Sequence, residues 1–264
     1  MRQCLFRLLL LCALTCGWLI ATADGARAEA DTSTTLPAAS GAPARVLLLG
    51  NSYTRFNVMP RMLGKLARGA GLRLQSHSRA RAGFTLRMHW RARELRQEIL
   101  RGRYSHVVLQ DHSLRPVNRP AEFEQYIERF ANLSRRGGAE PIYYETWPRH
   151  PAAAAFYRTH PQLHTAEQMA ARVGQAYREA VTRHGGRLAP VGRAFLTTLG
   201  KHPELELYKA DLAHPTWAGS YLAACIIFGT ITGQDPRGSQ YVPWELGTEQ
   251  ARQLRVIAAE VLGL

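Results

Sequence analysis

Cysteine is scarce. The 264-residue chain has four, and Cys4, Cys12 and Cys16 lie in or beside an apolar run close to residue 1. If that segment is removed, only Cys225 remains, so no intrachain disulfide framework can form. Cys225 lies in an apolar stretch and reads as a small buried hydrophobe rather than a reactive thiol. Lysine is scarcer still: Lys65, Lys201 and Lys209 are the only three, so the 34 basic residues are almost all arginine. Set against 20 acidic residues they give a net charge of +14. The arginines are scattered rather than blocked, which fits a solvated basic surface and gives no reason to expect a nucleic-acid partner. Metal-ligand spacing is also missing, since His150, His160 and His164 fall in a Pro-rich segment without a tight ligand pattern. No metal or cofactor is expected.

Long apolar runs are absent except near residue 1 and near Cys225. Arg2 and Arg7 precede the run from Leu8 to Ala21, and Ala26-Arg27-Ala28 follows as a small-residue cleavage site. The pattern predicts a signal peptide over 1–28. The run is shorter than the ~20 residues of a spanning helix, so no stable anchor is expected after cleavage, and the mature protein is expected to be exported, periplasmic or secreted. Cleavage removes Arg2, Arg7, Arg27 and Asp24, and so lowers the net charge to +12. Residues 29–43, rich in Ala, Ser, Thr and Pro, are expected to be a flexible leader. One folded domain is expected over 44–264, and its 46% hydrophobic and 20% charged residues suit a packed core.

Short apolar runs bounded by turn residues predict strands at Val46–Leu49, Leu72–Ser76, Val107–Leu109, Ile142–Tyr144 and Leu188–Val191. Helical stripes lie between them: Val58, Met62, Leu63 and Leu66; Leu86, Trp90 and Ile99; Phe123, Tyr126, Ile127, Phe130 and Leu133; Met169, Val173, Ala176 and Tyr177. Thr165 and Gln168 form a capping-box signal before the last of these. The almost wholly apolar 216–231 is too short and too rich in Gly and Ser for a membrane span and predicts a buried helix; Leu254, Ile257, Val261 and Leu262 end the pattern. Strand and helix alternate about five times. That predicts a single three-layer α/β/α domain with a doubly wound, mostly parallel five-stranded sheet, a flavodoxin-like arrangement.

In such a sheet ligands meet the carboxyl ends of the strands. The first strand runs into Gly50, Asn51 and Ser52, which sets a hydroxyl at that edge. A serine hydroxyl needs a base to take its proton, and the base needs an acceptor to orient it. Among ten histidines, His214 has Asp211 three residues earlier, just before the buried helix. Pro215 suits the edge of that helix. Ser52, His214 and Asp211 are therefore the candidate catalytic set. Asn132-Leu133-Ser134 matches a glycosylation acceptor, but it lies on a predicted helix and reads as chance.

With these residues in place, VLLLGNSYT at 46–54 resembles the nucleophile block of the SGNH (GDSL-type) hydrolases, with Asn51 where many members have Asp. DLAHP at 211–215 resembles their final block, AGFTLRMHW at 82–90 the glycine block, and HVVLQDHS at 106–113 the third block. With GSYLAACIIFGTITG at 219–233, the chain is most similar to a poorly characterised exported branch of that family, over about residues 45–233. The resemblance implies Ser52 as nucleophile, His214 as general base and then acid, and Asp211 as its orienting group. It implies an oxyanion hole made of the backbone N–H groups of Ser52 and Gly83 and one side-chain amide. Many members supply that amide from Asn in a Gly-x-Asn-Asp sequence; this chain has Gln110, whose amide carries the same donor on a longer stem.

The expected activity is that of an exported serine esterase acting on a short acyl ester, with O-acetyl groups on a carbohydrate as the favoured substrate and an acylated small molecule or polysaccharide as the expected binding partner. A lysophospholipase or thioesterase of the same fold is the enzymatic alternative. A non-catalytic binder of anionic polysaccharide is the alternative of another class. Tyr53, Trp147, Glu145 and His112 are the candidate substrate contacts; Trp90 and Trp217 are further aromatic candidates, and His89 a further histidine near the site.

Overall fold

A computed structural model describes residues 43–160 and 162–264. The expected signal peptide, and the expected leader apart from its last residue, lie outside the described residues. Five strands form one sheet: β1 (Ala44–Leu49), β2 (Leu74–Ser78), β3 (His106–Leu109), β4 (Glu140–Tyr144) and β5 (Arg187–Ala189). The order is β2-β1-β3-β4-β5 and every pairing is parallel. Side chains alternate along a strand, so a sheet covered on both faces needs apolar residues at every position. That is why β1 reads as an unbroken apolar run. Val46 and Leu48 enter one core, whereas Leu47 and Leu49 enter the other.

The first core is closed by α2 (Met59–Gly69), α9 (Val191–Lys201), α10 (Trp217–Thr232) and α11 (Thr248–Leu262). The second is closed chiefly by α3 (Leu86–Trp90), α4 (Arg93–Leu100), α6 (Pro120–Arg136) and α8 (Ala166–His184). Three short helices, α1 (Ser52–Arg55), α5 (Arg115–Asn118) and α7 (Ala154–Thr159), sit in loops. The three-layer doubly wound domain expected from the sequence is the one observed. The element boundaries differ by a few residues, most clearly in three places. The second strand starts at Leu74 because Leu72 remains in the turn after α2, and Val191 opens a helix rather than ending a strand. The stripe through Leu86, Trp90 and Ile99 divides into α3 and α4, which accounts for its irregular spacing.

Helix α10 is buried from Ala218 to Thr232. Thr216 caps it, its hydroxyl accepting from the Gly219 N–H at 3.2 Å, and Gly233 ends it in the left-handed region at φ 66°. An all-apolar helix of this kind belongs to a core covered on every side. Among the described residues no helix is long and apolar enough to cross a membrane. Chain direction around the sheet reverses between β1 and β3, so the loops leaving those strands diverge and open a crevice. Ser52 follows β1 and His112 follows β3.

Candidate active site

The turn after β1 is built for close packing. A Cβ on Gly50 would collide with the side chains of Thr54 and Gln110, so only glycine lets the chain turn there. Asn51 then caps α1, its Oδ1 accepting from the Tyr53 N–H at 3.0 Å. His89, almost fully buried, donates from Nε2 to the Gly50 carbonyl at 2.8 Å. This braces the turn from the α3 side and keeps His89 out of the crevice. Ser52 is thereby presented at the first position of a helix, where its N–H has no partner within that helix.

The other half comes from a tight hairpin before α10. Tyr208 and Pro215 form an antiparallel bridge, the Lys209 N–H donates to the His214 carbonyl at 2.8 Å, and the Thr216 N–H donates to Leu207 at 3.0 Å. Leu212 turns the chain at φ 57°, a conformation that costs a branched or bulky residue on the order of 1 kcal/mol. Asp211 Oδ1 accepts from the N–H groups of His214 (2.9 Å) and Ala213 (3.1 Å), while its Oδ2 lies 2.5 Å from His214 Nδ1. A carboxylate can only accept, so Nδ1 carries the proton and Nε2 presents its lone pair. Nε2 is 3.0 Å from Ser52 Oγ, across 162 sequence positions. Partial burial opposes the Asp211 charge, but hydrogen bonds from the His214 ring and the two backbone N–H groups outweigh it and hold the carboxyl below its ordinary range.

Asn57 joins the two halves. Its Nδ2 donates toward the carbonyls of Pro215 (3.1 Å) and Thr216 (2.7 Å) and the Ser220 hydroxyl (2.8 Å). It stands in the left-handed region at φ 52°, as does the next residue, Val58, at φ 49°. The sequence reading missed this clamp. The only available signal was an Asn a few residues after the candidate nucleophile, which is the residue type that best tolerates such a backbone.

The crevice around Ser52 has a volume of about 410 Å³ and is lined by Tyr53, Phe56, Gly83, His112 and Arg149 among others. Gly83 holds φ 72° on an open turn where a Cβ would meet nothing, so its backbone conformation rather than crowding favours glycine. Three of the expected contacts stand elsewhere. Gln110 is fully buried. Its Oε1 accepts from the Asn51 N–H and the Thr54 hydroxyl, both at 2.9 Å, and its amide nitrogen donates to the Asp111 carbonyl. Because the Asn51 N–H can only donate, the amide orientation is fixed; one of its two N–H groups is spent on Asp111, and the side chain is not part of the crevice lining. The longer glutamine stem thus ties β3 to the turn after β1 instead of reaching the substrate. Trp147 is fully buried too, stacked between Tyr53 and Phe195 with ring centroids 4.2 Å away on each side. Its Nε1 donates to the Ala213 carbonyl at 3.0 Å, so it supports the floor of the crevice and the residue before His214. Glu145 is 3% exposed and packs against Gly174 and Gly192. Burial pushes its carboxyl up to about 7 against the pull of Arg178 and Arg193.

Tyr53 and His112 do line the crevice. The His112 Nδ1 accepts from the Leu114 N–H at 3.4 Å, which favours the tautomer with its proton on Nε2. Burial, then the charges of Arg149 and Arg115, lower its pKa, so the ring is neutral near pH 7. Asp111, beside it, accepts the N–H groups of His112 (2.7 Å) and Leu86 (3.0 Å) and fixes the loop. Among the described residues no cluster of three or more His, Cys, Asp or Glu could hold a metal ion.

A solved structure from Slackia heliotrinireducens, assigned as an SGNH hydrolase, is 31% identical to this chain with a TM-score of 0.63; the match covers 72% of this chain and 100% of that one. A DUF4886 family protein from Bacteroides uniformis shares the fold at 15% identity and a TM-score of 0.70, covering 84% of this chain and 95% of that one. A lipase/acylhydrolase from Enterococcus faecalis shares it at 15% identity and a TM-score of 0.57, with 72% and 96% covered. No protein-family model and no curated protein matches the chain.

Proposed function

The chain belongs to the SGNH hydrolases, and on that footing we propose that it is an exported serine esterase that removes short acyl groups, with O-acetyl groups on a carbohydrate as the substrate class. The observation that carries the proposal is the run of hydrogen bonds from Asp211 through His214 to Ser52, with the imidazole lone pair aimed at the hydroxyl.

Ser52 Oγ attacks the ester carbonyl carbon as its proton passes to His214 Nε2. The carbonyl oxygen becomes an oxyanion. Ser52 and Gly83 both line the crevice, and their backbone N–H groups are the donors assigned to the oxyanion in this reading, with His112 Nε2–H as the third in place of Gln110. Donors fixed before the reaction stabilise the developing charge without reorganising, each worth about 2.7–4 kcal/mol in comparable sites. The carbon–oxygen bond to the alcohol then breaks, and His214 returns its proton to the leaving oxygen. Water attacks the acyl-serine with His214 again as base, and the acid departs. Asp211 orients the ring and offsets its charge during transfer without taking the proton. Export rests on the Arg2–Ala28 signal pattern, and the carbohydrate acetyl ester on export together with the polar side chains lining the crevice.

Purified protein with p-nitrophenyl acetate is expected to show turnover that falls by at least about 10³-fold in Ser52→Ala and in His214→Ala. Equal rates in all three would overturn the catalytic assignment and favour a binding protein. In the same assay His112→Ala is expected to lower kcat about 10²-fold with little change in KM; a pure KM effect would remove His112 from the oxyanion hole. Faster turnover of p-nitrophenyl octanoate than of the acetate would move the reading to a longer-chain acylhydrolase.

A further inference from the structure

Arg149 lines the same crevice as Ser52, His112 and His214. Nη1 donates to the Tyr53 hydroxyl at 3.2 Å, and the guanidinium carbon lies 5.3 Å from the Phe156 ring centroid. Among the described residues it pairs with no carboxylate. Of the acidic groups near the crevice, Asp211 is committed to His214 and Asp111 is buried on backbone N–H groups. Arg115 differs, since it pairs with Glu122 at 2.8 Å. A half-buried guanidinium has five N–H donors in a rigid fork, and an unmatched one in a substrate cleft is an open site for an oxyanion. Its charge is already felt by the pocket, where it helps to depress the pKa of His112.

Which half of an ester would meet this charge follows from the chemistry of the leaving group. His214 must protonate the departing alcohol oxygen, so the alcohol half lies on the His214 side of Ser52. That side is the crevice containing Arg149. A second depression beside Ser52, lined by Phe56, Val58 and Trp217 with the exposed Arg55 at its rim, lacks both His214 and Arg149, and its mainly apolar lining suits the acyl half.

We propose that Arg149 is the specificity-determining residue for a carboxylate carried on the alcohol half of the ester, so that the preferred substrate is an acyl ester of an anionic hydroxy compound. The inference rests on the esterase reading and names its substrate class; an acetylated sugar acid has this form.

The test uses 3- and 4-acetoxybenzoate, which carry the anion on the alcohol half, against their neutral methyl esters. For wild type the ratio of kcat/KM, anion over neutral, is expected to be about tenfold or more for at least one isomer. It should fall as salt is raised, because the attraction is partly screened. In Arg149→Gln the ratio is expected to collapse toward one, chiefly through KM, with partial recovery in Arg149→Lys. The ratio is the readout, so general damage from the substitution cancels. A wild-type ratio near or below one, or a ratio unchanged in Arg149→Gln, overturns the inference while turnover of both esters leaves the esterase reading standing. No turnover of any of these esters or of p-nitrophenyl acetate removes that reading and this inference with it.

Discussion

The Asn57 amide has two N–H bonds and three oxygen acceptors within reach, two of them carbonyls at the start of α10. Replacing it with alanine strands those acceptors and leaves a side chain in the left-handed region. Asn57→Ala is therefore expected to cost about 2–3 kcal/mol in urea unfolding and to lower kcat for p-nitrophenyl acetate about tenfold or more with little change in KM, because the Ser52–His214 separation loosens. Asn57→Gly relieves the backbone strain but not the lost bonds. It should recover part of the stability and little of the kcat, which a purely structural role would not produce. Ser52, Asp211 and His214 could be picked out as candidates in the sequence because Ser52 follows a strand end directly and Asp211 and His214 are three residues apart. Asn57 could not, since its importance lies in acceptors near residue 216. Gln110, Trp147 and Glu145 misled for a related reason: their types suit substrate contact, but burial depends on what packs over a residue, and sequence position does not reveal it.

At the scale of the element, α10 does more than fill the core. Its first turn lies directly against the hairpin that carries His214, and a Cβ on Gly219 would collide with the Leu207 carbonyl oxygen, the same oxygen that accepts from Thr216. A backbone atom cannot yield as a side chain can. Gly219→Ala is expected to lower stability by about 1–3 kcal/mol and kcat with it, by displacing the hairpin. At the far end of the helix, a Cβ on Gly229 meets the tip of Leu262, which can move. Gly229→Ala should lower Tm slightly and leave kcat alone; equal loss of activity in both would show that α10 transmits damage as a whole. Apolar periodicity revealed α2, α6, α8 and α11 because each has a wide buried stripe, and an almost unbroken apolar run revealed α10. Periodicity revealed neither α9 nor the short helices α1, α5 and α7, whose few turns contain too little repeat to register.

For the whole molecule, stability should depend on pH through a carboxyl that no catalytic step uses. Glu145 titrates at about 7 in the fold against an ordinary 4.5. Between those values the unfolded chain has already lost the proton that the folded chain keeps, so this group's contribution falls as pH rises from 4.5 to 7 and stays low above it. The full effect is at most about 3 kcal/mol. Glu145→Gln keeps the shape without the charge. The stability of the variant relative to wild type, from urea midpoints, is expected to increase steadily from pH 4.5 to 7.5. A difference independent of pH would mean that Glu145 is ionised throughout.

The five apolar runs and the helical stripes between them determined a parallel sheet covered on both faces, because only a strand buried on both sides can dispense with alternation. Local motifs likewise determined which hydroxyl and which imidazole to compare. Only the tertiary structure decided their meeting at 3.0 Å, the retreat of Gln110 into the sheet edge, and the unmatched charge of Arg149 beside them. Those three depend on contacts between segments far apart in the chain, and such contacts are set by packing, which no single stretch of residues contains.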